Sequence, residues 1–316
     1  MIARRTLLTA AGLTSVAAAL AGCGESAETV PGSSISPGTA AGGSDAGEAS
    51  DGGVFAPLTV SGPVGEEPVV ELAGPLTFES PHSTVIIHGS GQKITEGSTI
   101  IQKSGFYNPE DGSLLHSQWE RKQSTVFQIS SESVGDESVA FFTALSTGSR
   151  YAMVGFDQAG TPVLQVGDVE GIALGRADGA AQQLGPEFPA FTLQDDGSPQ
   201  LSGKPKGEPP TALLHDASIV GSGPKAAADD TLVMHYRGWD FETGEEFDSS
   251  WSRGVPFDFV LGAGDVIAGW DTSLDGAAQG SQIVMVIPPA EAYQDQGELA
   301  GKTLVFVADV LYVAKP

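Results

Sequence analysis

Hydrophobic and polar residues alternate over several short stretches in the second half of the chain, as in half-buried β-strands. The runs that carry this β pattern are 231–236, 257–261, 282–287 and 303–312. One helical pattern covers residues 266–274, where Ile267, Trp270 and Leu274 share a face and Asp265 precedes as a candidate N-cap. The pattern predicts a mainly β (α+β) fold in which a short helix covers the apolar face of a sheet.

The chain also matches itself without a gap when it is shifted by 132 residues. The shift places Trp119 on Trp251, Arg121 on Arg253, Phe127 on Phe259, and Gly89-Ser90-Gly91 on Gly221-Ser222-Gly223. This repeat predicts two homologous domains, at 55–175 and 206–316. Residues 176–205 are rich in Gly, Pro, Gln and Asp, which favours a linker with one short strand near 190–193.

The N-terminus predicts export and lipid attachment. Arg4 and Arg5 precede an apolar run over 7–20 that is too short to span a bilayer, and Leu20-Ala21-Gly22-Cys23 resembles the bacterial lipobox. We therefore expect a signal peptide over 1–22 and acylation of Cys23, the only cysteine, which also excludes an intramolecular disulfide. The alternative is a plain secretory signal with an incidental cysteine.

Residues 23–54 hold almost nothing to bury and predict a disordered tether at the extracytoplasmic face of the cell membrane. The formal net charge is -25. Such an excess of carboxylates repels nucleic acid and anionic lipid surfaces, so we expect no nucleic-acid partner and membrane contact through the lipid alone. The histidines lack metal-ligand spacing, and neither a metal nor a cofactor is expected.

An ordered series of motifs follows Tyr236. It comprises Phe247-Asp248-Ser249-Ser250, Arg253, Pro256-Phe257-Asp258-Phe259, Val266-Ile267-Ala268-Gly269-Trp270-Asp271, Ile287-Pro288-Pro289, Tyr293 and Leu304-Val305-Phe306. Over the whole of 206–316 their order and spacing resemble the FKBP-type peptidyl-prolyl cis-trans isomerases. The resemblance implies a twisted antiparallel sheet wrapped around one short helix, in each of the two domains if both are homologous. It also implies isomerase activity on X-Pro bonds, with proline-containing segments of unfolded or exposed polypeptide and macrolides such as FK506 or rapamycin as partners.

The resemblance further implies which residues form the site. Catalytic roles fall on Tyr236, Asp248, Trp270 and Tyr293, and substrate contacts fall on Phe247, Arg253, Phe257, Val266, Ile267 and Phe306. The indole of Trp270 is then the floor for the proline ring, and the Ile267 N–H and the Tyr293 hydroxyl hold substrate carbonyls. Taken singly, aromatic residues such as Phe259 are better explained as core.

Two departures from the family pattern stand out. Tyr293 is followed by Gln294 rather than glycine, and the loop to Thr303 is shorter than is usual, so peptide preference and drug affinity stay open. The first copy has lost the site, because the positions of Tyr236, Phe247, Asp248, Phe257, Ile267 and Trp270 hold Ser104, Leu115, His116, Thr125, Gly135 and Ser138. We expect that copy to be a degenerate domain without isomerase activity.

The leading hypothesis is a proline isomerase that acts on exported proteins at the extracytoplasmic membrane surface. The alternative is a catalytically weak chaperone or protein-binding lipoprotein with the same fold. A solute-binding lipoprotein is a third possibility, but the chain lacks the alternating strand–helix pattern of that class.

Overall fold

The structure, a computed structural model, describes residues 53–294 and 297–316. The described chain divides between Ile172 and Ala173 into two compact units, here called the N-terminal unit (53–172) and the C-terminal unit (173–316). The predicted signal peptide, Cys23 and nearly all of the predicted tether lie outside the described residues. No helix in the described ranges is both long and apolar enough to cross a membrane.

The N-terminal unit contains eight strands and three short helices. Its strands are β1 (Leu58–Ser61), β2 (Val69–Leu72), β3 (His82–Ile87), β4 (Thr99–Tyr107), β5 (Leu114–Ser117), β6 (Thr125–Gln128), β7 (Arg150–Phe156) and β8 (Pro162–Ile172). Its helices are α1 (Gln118–Arg121), α2 (Ser131–Val134) and α3 (Asp136–Thr143).

The described part of the C-terminal unit contains nine strands, two short α-helices and a 3-10 turn. Its strands are β9 (Gly179–Ala181), β10 (Phe191–Leu193), β11 (Pro199–Leu201), β12 (Leu214–Gly221), β13 (Thr231–Asp240), β14 (Glu246–Ser249), β15 (Phe257–Val260), β16 (Gln282–Ile287) and β17 (Leu304–Ala314). Its helices are α4 (Ser250–Arg253), α5 (Ala268–Leu274) and a 3-10 turn (Pro289–Glu291).

The two main sheets have the same antiparallel topology. The strand order is β3-β7-β8-β4-β5 in one unit and β12-β16-β17-β13-β14 in the other, with β6 and β15 paired to β4 and β13 respectively. The 132-residue shift holds element by element, since β5, α1 and β6 map onto β14, α4 and β15 without a gap. The predicted mainly β fold with two related sheets is therefore confirmed.

Each sheet is covered on both faces. In the C-terminal unit, the inner face packs around α5 and includes Trp270, while the outer face buries Trp239 and alternate valines of β16 and β17. In the N-terminal unit the inner face packs around α3, and the outer face is covered by the β1–β2 hairpin. Alternation of side chains along each strand produces the two faces.

The segment 176–205 differs from the predicted linker. Its strand β9 pairs with the edge strand β12, and β10 and β11 form a hairpin whose Phe191 and Leu201 pack on the outer face of the C-terminal sheet. The expected strand near 190–193 is present as β10. The Gly and Pro residues of this segment serve turns within the unit, because the apolar residues between them are enough to cover the sheet.

The helix of the C-terminal unit begins later than predicted. α5 starts at Ala268 with Ile267 as N-cap, and no side chain caps it. The predicted cap, Asp265, instead accepts a hydrogen bond from the N–H of Val260 at 3.3 Å. The prediction of one helix per unit was also wrong, because it missed one-turn helices such as α1 and α4. Helices this short show too little sequence periodicity to be detected.

Candidate active site

Aromatic rings from five elements meet on the inner face of the C-terminal unit. Trp270 of α5 lies at its centre, fully buried, with its ring edge-on to Tyr236 at 5.2 Å and to Phe306 at 5.3 Å between centroids. Phe247 of β14 and Phe257 of β15 are half-buried at the rim. We call these five residues the aromatic cluster. Edge-to-face contacts at these distances each contribute about 0.5–1.5 kcal/mol beyond burial.

Two glycines let the elements approach closely enough to form the aromatic cluster. A Cβ on Gly238 would lie 2.7 Å from Cζ of Phe247 and 2.8 Å from Cε1 of Phe306, so the two rings meet over a bare stretch of β13. A Cβ on Gly269 would lie 2.5 Å from Cγ2 of Ile287, which shows how tightly α5 packs on β16. Side chains at these positions would separate the rings from the strand and the helix from the sheet.

A charged group borders the aromatic cluster. The Tyr236 hydroxyl donates to Oδ2 of Asp248 at 2.5 Å and accepts from Nη2 of Arg253 at 2.9 Å. Nη1 of Arg253 bonds Oδ1 of Asp248, which closes a three-membered network. Burial, with the hydrogen bond to Asp248 as the next cause, raises the pKa of Tyr236 above its ordinary value, so its hydroxyl stays protonated and fixes the carboxylate.

Two serines to which the sequence analysis assigned no role hold this network in place. Ser249 is the N-cap of α4 and accepts from the N–H of Ser252 at 3.2 Å. The hydroxyl of Ser250 accepts the N–H of Tyr236 at 2.8 Å and lies 2.8 Å from Nδ1 of His235. The preference of serine for N-caps is the sequence signal that identifies the first of them. Ser250 has no comparable local signal, because its partners lie on β13, fourteen or fifteen residues away in sequence.

The structure brings all ten predicted site residues of this unit together. Val266 and Tyr293 belong to the same buried core as Trp270, and Ile267 packs against that core. The indole Nε1 of Trp270 is buried and has no hydrogen-bond acceptor among the described residues. An unsatisfied buried donor costs about 1–3 kcal/mol, and such groups in native structures often mark functional sites.

The corresponding region of the N-terminal unit is filled and polar. Gln165 of β8 occupies the position that Phe306 occupies on β17, since the two residues pair with equivalent residues of β4 and β13. Its side chain donates to Oγ of Ser104 at 2.9 Å and to the hydroxyl of Tyr151 at 3.1 Å. The Tyr151 hydroxyl in turn donates to Gln102 at 2.5 Å. Leu115 stands out at 57% exposure, and the tryptophan floor is replaced by Ser138. This unit therefore lacks a cluster centred on tryptophan; its own rings, Phe127, Phe141, Phe142 and Tyr151, contact one another around α3.

In the described part of the chain, no cluster of three or more His, Cys, Asp or Glu side chains is arranged to hold a metal ion. The loop after Tyr293 is compact where it is described. The N–H of Gly301 donates to the carbonyl of Gln294 at 2.6 Å, Leu299 is buried, and Lys302 pairs with Asp240 at 2.8 Å. These contacts tie the short loop to the end of β13.

Comparison with known proteins agrees with the site. The family model described as "FKBP-type peptidyl-prolyl cis-trans isomerase" matches residues 223–311. An FK506-binding protein of Streptomyces anulatus is 46% identical over 114 residues, which are 34% of this chain and 92% of that protein. A probable FK506-binding protein of Corynebacterium glutamicum is 43% identical over 110 residues, again 34% and 92% of the two chains. Among solved structures, FkpA from Escherichia coli matches 33% of this chain and 49% of its own, with 36% identity and a TM-score of 0.31.

Proposed function

Because the chain belongs to the FKBP family of peptidyl-prolyl cis-trans isomerases, we propose that the aromatic cluster of the C-terminal unit is its active site and that its substrates are X-Pro bonds of exported proteins at the extracytoplasmic membrane surface. The observation that supports this proposal most directly is that the fully buried Trp270 lies next to the hydrogen-bonded network of Tyr236, Asp248 and Arg253. Macrolides such as FK506 or rapamycin are expected to compete for the same surface.

The chemistry of the site suits rotation about an amide bond. The barrier of about 18–20 kcal/mol comes from amide resonance, so no bond to a nucleophile has to form. A twisted amide has lost resonance and is less polar than a planar one. A water-poor aromatic site therefore stabilises the transition state more than the ground state, which is the requirement for catalysis.

Each side chain has a role in this proposal. The proline ring rests on Trp270, with Phe247, Phe257 and Phe306 as walls. The carboxylate of Asp248, held by two donors, lies beside the twisting amide. The N–H of Ile267 precedes the first turn of α5, where backbone donors lack helical acceptors, and can bind a substrate carbonyl. The hydroxyl of Tyr293 binds a second carbonyl, and Val266 lines the floor.

The N-terminal unit is proposed to be catalytically silent and to serve as a spacer or binding surface. The positions of Phe306 and Tyr236 hold Gln165 and Ser104, which are hydrogen-bonded to each other and carry no rings. Membrane attachment is proposed to come from acylation of Cys23 after removal of residues 1–22. Mass spectrometry of the mature N-terminus tests this attachment. A diacylglyceryl adduct on Cys23 that disappears in Cys23→Ser supports it, and an unmodified cysteine contradicts it.

The isomerase proposal is tested by protease-coupled isomerisation of X-Pro tetrapeptides with the full chain. Asp248→Val and Trp270→Leu are each expected to lower kcat/KM at least about tenfold, equivalent to about 1.4 kcal/mol of transition-state stabilisation. His116→Val, at the matching position of the N-terminal unit, is the control and should leave the rate unchanged. Rapamycin should inhibit the wild type.

The outcome also decides between the enzyme and its alternative. A folded wild-type chain with no activity over a panel of residues before proline would refute the enzyme proposal. It would favour the catalytically weak chaperone or binding protein, for which the short loop after Tyr293 is the supporting observation. Suppression of aggregation of an unfolded client, unaffected by Trp270→Leu, would then be the expected behaviour.

A further inference from the structure

A cavity of about 860 Å³ opens on the outer face of the C-terminal unit, across the sheet from the aromatic cluster. Residues 174–179 and the turn of the β10–β11 hairpin form its walls, and β12, β16 and β17 form its base. The side chains that matter for its chemistry are Arg176, Asp196, Gln282 and Asp309. Its volume is in the range of sites that bind small ligands.

Asp309 lies at the base of this cavity. Asp309 is 1% exposed. Its carboxylate accepts hydrogen bonds from the N–H of Ala177 and from Nε2 of Gln282, each at 2.8 Å. Within residues 53–294 and 297–316 it has no salt-bridge partner. Burial raises the pKa of Asp309 to about 6. Burial of a carboxylate is costly, and Arg176, whose positive charge lowers the pKa of Asp309, is exposed and forms no salt bridge with it in the described ranges. The position therefore favours a cation that contacts the carboxylate directly.

In the N-terminal unit, the aspartate equivalent to Asp309 is Asp168, and it is paired with the guanidinium of Arg150. Arg150 and Asp168 are cross-strand partners on β7 and β8, as Gln282 and Asp309 are on β16 and β17. The Arg150 guanidinium binds both oxygens of Asp168, at 2.6 and 2.7 Å. It also donates to the carbonyls of Gly62, Pro63 and Glu66, at 2.9, 2.9 and 2.8 Å, in the turn of the β1–β2 hairpin.

The two units thus use one architecture, a hairpin turn facing a buried aspartate, and differ in what lies between them. In the N-terminal unit a guanidinium fills the space. In the C-terminal unit the shorter Gln282 leaves a cavity beside the same carboxylate. We propose that this cavity binds a monosubstituted guanidinium from outside the C-terminal unit, in the position that Arg150 occupies in the N-terminal unit.

The rest of the cavity fits such a ligand. Asp196 in the hairpin turn supplies a second carboxylate, and hydrogen bonds from Ser198 hold its pKa below the ordinary value. A guanidinium presents donors in a planar fork that binds a carboxylate through two parallel hydrogen bonds. Two facing acidic groups would hold it from both sides.

Arg176 is an internal competitor for this site. It lines the cavity and is exposed, and its positive charge lowers the pKa of Asp309, although no hydrogen bond joins the two side chains in the described ranges. Its stem lies along the hairpin turn, with Cδ 2.9 Å from where a Cβ on Gly197 would be. Arg176 adds a like charge at the entrance, so Arg176→Gln is expected to strengthen binding of an external cation.

The test is isothermal titration calorimetry on the full chain with ethylguanidinium and its neutral isostere ethylurea. Wild type should bind ethylguanidinium at least about tenfold more tightly than ethylurea. Gln282→Arg should abolish the difference, because it supplies the guanidinium from the chain as the N-terminal unit does. Asp309→Asn should abolish it by removing the carboxylate, and circular dichroism checks that both variants are folded.

The source of the guanidinium is distinguished by a second pair of ligands. Acetyl-Gly-Arg-Gly-amide and its citrulline analogue carry the same two head groups on a peptide. Binding of the arginine peptide at least about tenfold tighter than ethylguanidinium would identify an arginine of a polypeptide as the ligand. Equal affinities would identify a small free guanidine.

The proposal is overturned if ethylguanidinium and ethylurea bind wild type equally, or if a folded Gln282→Arg binds as wild type does. Where either buried variant does not fold, Asp196→Asn provides the decision, since Asp196 is exposed. It should weaken ethylguanidinium binding about threefold, and unchanged affinity would contradict the site. The proposal does not depend on isomerase activity, which the aromatic cluster on the other face determines.

Discussion

Among the positions at which the inner faces of the two units differ, one holds Gly238 in the C-terminal unit and Phe106 in the N-terminal unit. The bare backbone at Gly238 lets Phe247 and Phe306 meet edge to face at 5.5 Å beside the tryptophan floor. In the N-terminal unit the ring of Phe106 fills this space and stacks on His116, with centroids 5.7 Å apart and planes within 14°. A sheet can therefore keep its topology and hydrophobic core while losing the open rim that a ligand needs.

The outer faces differ in the opposite sense. There the N-terminal unit is the one that is closed by charge, through Arg150, and the C-terminal unit keeps a cavity. The two sheets thus differ at matched positions on both faces. The same strand order therefore gives the same fold, while single residues at matched positions determine whether a ligand-sized space stays open on each face of the sheet.

The largest expected effect comes from removing the cation that closes the N-terminal outer face. Arg150→Gln leaves Asp168 unpaired and three turn carbonyls without their donor, so the free energy of unfolding of this unit should fall by about 3–5 kcal/mol. Urea denaturation of the full chain measures the loss, and ethylguanidinium should restore part of it.

The matched control is Arg237→Gln in the C-terminal unit. Arg237 pairs with a half-exposed Glu246 at 3.4 Å and donates to the carbonyl of Pro199 at 2.9 Å. Loss of these contacts should cost about 1–2 kcal/mol, less than the loss of Arg150, because Arg237 leaves no fully buried carboxylate behind. Equal losses in the two variants would contradict the contrast between a closed and an open outer face.

The next effect is a dependence of stability on pH that belongs to Asp309. Its folded pKa of about 6 lies above the unfolded value, so its contribution to stability is full below about pH 4 and is lost as pH rises through 6. The contribution of Asp309 to the free energy of unfolding should therefore fall by up to about 3 kcal/mol over this interval, in addition to a change of the same sign from Asp258, whose pKa burial also raises to about 6.

The measurement is urea unfolding of the full chain at pH 4 to 7, without added cation. Asp309→Asn should remove this component of the slope, while Asp178→Asn, an exposed carboxylate at the same cavity, should retain it. An equal dependence of stability on pH in wild type and Asp309→Asn would refute the assignment.

A smaller effect tests the inner face. Gly238→Ala should lower kcat/KM on X-Pro peptides about tenfold, because the added Cβ pushes apart the Phe247 and Phe306 rings that form the walls. Protease-coupled kinetics measure it. The converse substitution, Phe106→Gly, should give no activity in a chain that carries Trp270→Leu, since the N-terminal unit also lacks the floor and the carboxylate.

The smallest effect is expected to be equal in the two units. Ser117 and Ser249 cap α1 and α4 through the same hydrogen bond to the third N–H, at 3.2 Å in each case. Each Ser→Ala variant should lose about 1 kcal/mol of stability in its own unit. Thermal unfolding measures both. A loss in only one would show that these helices are no longer equivalent.

Much of the C-terminal site was predictable, because the motifs from Tyr236 to Phe306 occur in a fixed order and because period-2 runs mark the strands that carry them. The two-sheet fold was predictable from the gapless repeat. The helix start was misplaced by two residues, since Asp265 is a good cap by type but bonds a strand N–H instead.

The outer hairpins were missed for a different reason. Their strands are only three or four residues long, and turn residues dominate their composition, so local pattern could not separate a covering hairpin from a linker. One signal does exist. Phe55-Ala56-Pro57-Leu58 and Phe188-Pro189-Ala190-Phe191 resemble each other at a shift of 133, one residue away from the register of the main repeat. The cavity itself depends on contacts distant in sequence, which a pattern along the chain does not contain.

The placement of β17 has a consequence for how the chain folds during synthesis. This strand is the last of its unit yet lies in the middle of the sheet, where it pairs with β13 on one side and β16 on the other. Synthesis runs from the N-terminus, so β13 stays unpaired on that side until some seventy residues later in the chain have emerged. The N-terminal unit has the same arrangement in β4 and β8 and completes its own sheet first. Each unit should consequently fold late and in one step, with high contact order, because its sheet cannot close until the central strand has been synthesised.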